Sequence, residues 1–117
     1  MNNIIKLFLG LLFTVYSSQI IKSLLKIKRP DYHTLSSHEK QTNGYGFPSG
    51  HAAMYSFIFL FLYLNFFPTT IFLLLGTPLW LYLMKDSYLG GYHDLPQMFG
   101  GILYGFFIAY IISNYFL

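Results

Sequence analysis

The chain has 117 residues, enough for one domain, and 55% of them are apolar, 21% aromatic and only 9% charged. A soluble domain carries about 25% charged residues, so this balance argues against water as the solvent and for a bilayer. The formal charge of +3 is too small for a nucleic-acid partner, and the absence of cysteine excludes disulfides, Cys-ligated zinc and a thiol nucleophile.

The first apolar segment runs from about Ile4 to Leu25, interrupted by Lys6 and by a softer patch at Ser17, Ser18 and Gln19. Roughly 20 apolar residues cross a hydrocarbon core at 1.5 Å rise each, so this segment is predicted to span. A cleaved leader has a similar start, but the run is long for one, and no small-x-small site precedes the basic cluster of Lys22, Lys26, Lys28 and Arg29. By itself that cluster also reads as a topology signal or a contact with anionic headgroups. Residues 26–51 read as a polar loop rich in turn formers such as Pro30, Gly44, Gly46 and Pro48.

From Ala52 to Phe67 the chain is apolar again, Asn65 to Thr70 reads as a tight turn around Pro68, and Ile71 to Met84 is apolar once more. These two segments form a helical hairpin. Each is shorter than an ideal span, Pro78 is expected to kink the second, and both are expected to draw on the polar stretches beside them. Lys85 to Gln97 reads as a second polar loop, and Met98 to Leu117 as a final span. With no linker composition and no internal repeat, the expected fold is all-α: a single integral membrane helical bundle over residues 1–117, multi-pass, with about four transmembrane helices.

Four crossings put both polar loops on one face, so their chemistry can meet. The positive-inside rule alone would place that face in the cytoplasm; cations held for catalysis produce the same count.

Three groups on that face carry chemistry. Lys22 and Arg29 are seven residues apart, about 700° of helix, so they share a face near the membrane surface, and Pro30 ends helical geometry at Arg29. Arginine offers a planar fork to phosphate oxygens and lysine a mobile point charge. The stretch Pro48-Ser49-Gly50-His51 stands immediately before a helix. There Ser49 can cap, Gly50 permits close approach, and the free N–H groups of the first turn form an anion site reinforced by the helix dipole. The plainer alternative is an ordinary serine cap with a histidine at the interface. The third group is Tyr88-Leu-Gly-Gly-Tyr-His93-Asp-Leu-Pro-Gln97. Gln97 can accept the Nδ1 proton of His93 and leave Nε2 free as a nucleophile; equally, Asp94 and Gln97 have capping-box spacing and can simply start the last helix.

Lys22-x6-Arg29-Pro30, then Pro48-Ser49-Gly50-His51, then His93 preceded by Tyr-Leu-Gly, in that order, resemble the type-2 phosphatidic-acid phosphatase superfamily. Its pattern is KxxxxxxRP, PSGH and SRxxxxxHxxxD. The first two motifs match in full and the third in part. The resemblance implies a phosphohistidine mechanism without metal or cofactor: His93 as nucleophile, His51 as general acid and base, and Lys22, Arg29, Ser49 and Gly50 holding the phosphate oxygens.

Two departures stand in the third motif. Asp86 and Ser87 occupy the place of Ser-Arg, leaving Lys85 as the nearest cation and candidate phosphate contact, and Gln97 replaces the final Asp. Dolichyl-diphosphate phosphatases are similar in having Tyr-His-x-x-x-Gln, which favours a polyprenyl diphosphate over phosphatidic acid as substrate. The family often has six helices where four are read here.

The resulting expectation is a membrane lipid phosphatase whose partners are a lipid phosphate or diphosphate and the bilayer, with a second copy available to complete a small bundle's pocket. The alternative is a relative that binds lipid phosphate, or serves structurally, without turnover. A metal site from His33, His38, His51 and His93 is disfavoured, because the spacing of His33 and His38 matches neither a helix nor a hairpin.

Overall fold

The computed structural model describes residues 2–25, 50–89 and 95–115, which form four helices: α1 (Asn3–Leu25), α2 (Gly50–Asn65), α3 (Thr70–Leu89) and α4 (Leu95–Tyr115). The all-α expectation holds. The Lys26–Ser49 loop, with Arg29, His33, His38 and Ser49, and the stretch 90–94 with His93 and Asp94 lie outside the described residues.

The second polar loop is shorter than expected. Helix α3 runs through Pro78 and continues past Met84 to Leu89, and α4 begins at Leu95 rather than Met98. Lys85 is therefore a helical residue near the end of α3, not a loop residue. Polarity ended the predicted segment there, yet a helix satisfies its own backbone and needs no apolar side chains to continue. Pro96 starts α4 without cost because a first-turn residue has no intrahelical N–H partner. Between α2 and α3 the turn is tight: the Phe66 and Phe67 amides both donate to Leu62 O, and Thr69 Oγ1 accepts the Phe72 N–H at 3.2 Å as an N-cap.

Two helices, Asn3–Leu25 and Pro96–Tyr115, are long and apolar enough to cross a membrane, while Gly50–Asn65 and Thr70–Lys85 are apolar but shorter. What sorts their faces is size. The buried residues of α1 are Lys6, Gly10, Thr14 and Ser18, spaced four apart, while Phe8, Leu12, Phe13, Tyr16, Ile20 and Leu24 are exposed. Helix α4 repeats the device with buried Gln97, Gly101, Gly105 and Ala109. Small side chains let helix backbones approach closely, which is how helices associate where burying large apolar groups supplies little drive.

Helix α2 is the centre of the bundle and packs most extensively on α4. A β-carbon on Gly105 would collide with the backbone carbonyl oxygen of Ala53, so glycine is required there, and one on Gly10 would displace the ring of Phe57. Phe57 and Phe61 are fully buried and stack with centroids 5.4 Å apart. Polar side chains tie the helices: Trp80 Nε1 donates to Ser56 Oγ at 3.1 Å, Asn65 Nδ2 to Ser113 Oγ at 2.8 Å, and Tyr104 Oη to Ser17 Oγ. Thr14 and Ser18 return their hydroxyl protons to Gly10 O and Val15 O on their own helix, so the polar ridge of α1 is satisfied internally.

Candidate active site

The up-and-down course of the chain brings four helix ends together. Lys22 is in the last turn of α1, Gly50 and His51 open α2, Lys85 is near the end of α3, and Gln97 is in the first turn of α4. Beneath them Ala52, Met84 and Met98 form one buried cluster, with Tyr55, Trp80, Leu83 and Ile102 packed around it. That cluster fixes the start of α2 and α4 against the end of α3.

Lys22 and Gly50 meet directly. A β-carbon on Gly50 would stand 3.2 Å from Lys22 Nζ and 3.6 Å from Ser18 Oγ. Only a residue without a side chain lets the ammonium lie this close to the first turn of α2. The N–H groups of that turn point toward the helix start, and the helix dipole is positive at this end. Two positive features thus share one spot, the arrangement an anion binds. His51 is exposed beside it, its ring tilted 34° to that of Tyr55 one turn on, with centroids 6.3 Å apart.

Gln97 is only 1% exposed. It is the third residue of α4 and heads that helix's small-residue ridge. Lys85, by contrast, is exposed at the same end of the bundle. The described residues therefore unite Lys22, Gly50, His51, Lys85 and Gln97 at one end, while Arg29, Ser49 and His93 lie outside them.

Ser18 is the site neighbour that motif reading missed. Its signal was present as the four-residue spacing Gly10, Thr14, Ser18, Lys22, which puts a small-residue ridge and the first motif lysine on one stripe.

A family model of the PAP2 superfamily matches residues 3–117, every described helix and every motif position among them. The chain belongs to the PAP2 superfamily. PAP2 members are phosphatases, typically of lipid phosphates, and are mostly membrane-associated. Neither the curated proteins nor the solved structures contain a match to this PAP2 chain. Within the PAP2 frame, the approach of Lys22 to Gly50 joins a residue of the first motif to one of the second, through the bundle rather than along the chain.

Proposed function

We infer that the chain is a metal-independent membrane lipid phosphatase working through a phosphohistidine. The observation that carries the reading is the Lys22 ammonium set against the N-terminal turn of α2 at Gly50, because it makes an anion site from two separate family motifs. In this reading all four helices cross the membrane. Two of them have the length and apolarity, the other two are shorter apolar helices, and large apolar side chains face outward along α1, α3 and α4. The lipid tail then lies in the bilayer and its phosphate reaches the converging helix ends.

His93 Nε2 attacks phosphorus, the bond from phosphorus to the lipid-side oxygen breaks, and His51 gives that oxygen its proton. Water then attacks the phosphohistidine, His51 takes the water proton, and the P–N bond breaks to release inorganic phosphate. Lys22, Arg29, Ser49 and the Gly50 N–H hold the non-bridging oxygens as charge spreads over them. Gln97, buried in the first turn of α4, orients His93 through its amide oxygen. Lys85 supplies the cation that the third motif lacks as arginine. A polyprenyl diphosphate is the preferred substrate on the similarity at Gln97, and phosphatidic acid the next.

One observation favours a second reading, a lipid-phosphate binder without turnover: no arginine stands in the third motif. Losing one charge-assisted contact to a transferring phosphoryl group costs about 3 kcal/mol, two orders of magnitude in rate. Purified protein in detergent with EDTA, given polyprenyl diphosphate and phosphatidic acid in turn, separates the two. Phosphate release that disappears in His93→Ala supports the enzyme; equal release from both proteins, or none from a folded wild type, sinks it. Unchanged turnover in Lys85→Ala would remove Lys85 from the phosphate site.

A further inference from the structure

The end of the bundle away from the phosphate site holds a cavity of about 510 Å³ between α1 and α4, a volume suited to one small ligand. Its walls include Leu9 and Phe13 of α1 and Phe107, Ile111 and Ile112 of α4, and its one polar lining side chain among the described residues is Lys6. It opens outward past Leu9, Phe13 and Phe107, all of them exposed.

Lys6 is only 8% exposed, and among the described residues its ammonium has no hydrogen-bond or ion-pair partner. A lysine near a helix end ordinarily extends its stem and leaves the charge in water. This one is folded into an apolar wall, where an ammonium needs a counter-charge. Lys6 and Lys22 are sixteen residues apart on α1, roughly 24 Å of helix. A lipid with its phosphate at Lys22 therefore has its headgroup in the opposite leaflet from one with its headgroup at Lys6.

We propose that this groove binds an anionic phospholipid of the leaflet opposite the phosphate site, one acyl chain lying between α1 and α4 and the headgroup phosphate paired with Lys6. The lipid is a resident of the bundle and not its substrate. The inference rests on the spanning reading above and is independent of turnover.

Retention of the wild-type protein in carbonate-washed membranes tests the spanning reading by itself. Protein extracted from those membranes in neutral detergent is then titrated with phosphatidylglycerol or phosphatidylcholine, reading bound lipid by native mass spectrometry and the unfolding temperature by circular dichroism. Phosphatidylglycerol is expected to bind at least about tenfold more tightly than phosphatidylcholine and to raise the unfolding temperature. Lys6→Gln should erase that preference, and Lys22→Gln should keep it. Ile111→Trp, which fills the groove and keeps the charge, should lose binding of both lipids. No preference in the wild type, or a preference kept in Lys6→Gln, overturns the proposal. Because the chain has no cysteine, Phe13→Cys provides a single thiol at the mouth. Disulfide dimers of that variant that phosphatidylglycerol does not suppress would assign the groove to a second copy and overturn the lipid.

Discussion

Lys22 and Lys6 lie sixteen residues apart on one four-residue ridge of α1, a ridge that winds about 160° round the helix between them, and they occupy opposite chemical settings. Lys22 lies against the first turn of α2, among helix ends that carry histidine, glutamine and a second lysine. Lys6 is enclosed by Phe, Leu and Ile of α1 and α4. The difference teaches that a cation's role in this bundle is set by which helix end faces it. A helix N-terminus stands beside Lys22, whereas the described residues around Lys6 are apolar and offer its charge no counterpart.

The comparison can be broken most severely at the crossing that holds both ends in place. Gly105→Leu puts a side chain into the Ala53 carbonyl and the Phe57 amide, so α2 and α4 must separate. Such overpacking costs about 3 kcal/mol or more, and thermal unfolding in detergent should show a large loss of stability together with loss of activity. A variant that melts like the wild type would mean that the two backbones do not touch there.

Lys22→Ala should lower phosphate release about a hundredfold, the usual effect of removing one contact to a developing phosphoryl charge, while Lys6→Ala in neutral detergent stays within about twofold of wild type. Equal losses in both variants would erase the distinction between the two ends.

Gly50→Ala sharpens the same point. The new methyl stands 3.2 Å from Lys22 Nζ, so the flexible ammonium must move by a few tenths of an ångström. Turnover should fall about tenfold while stability is unchanged or rises by up to about 1 kcal/mol, since alanine is the better helix residue. Turnover at the wild-type level would show that the close approach is not used.

The smallest effect is expected from Ser113→Ala, far from the phosphate end, which takes one of the two acceptors of the Asn65 amide and leaves Phe61 O. Interhelical hydrogen bonds of this kind contribute about 0.6 kcal/mol, so the unfolding temperature should drop slightly and kcat should not change.

Much of this arrangement was legible in the sequence. The limits of α1, the Phe66–Thr69 turn and the order of the motifs follow from apolar length, Pro68 and residue type. Two boundaries did not. Lys85, Asp86 and Ser87 read as loop because they are polar, but α3 carries on through them; Asp94-Leu-Pro-Gln97 read as loop with an alternative as a cap, and α4 starts at Leu95 within it. At the site, the chemistry of Lys22, Gly50 and His51 was readable from the motifs, whereas the contact between Lys22 and Gly50 joins positions 28 residues apart and is made by packing.

What the sequence by itself determined is therefore the kit: four apolar helices, one family, and the polar residues at their ends. What only the tertiary structure decided is which way each helix faces. A helix that is apolar all round has no periodic stripe to point inward, so hydrophobicity cannot orient it. The small residues do so: Gly105 lets α4 close on the α2 backbone at Ala53, Gly10 admits the Phe57 ring against α1, and Gly50 lets Lys22 approach α2.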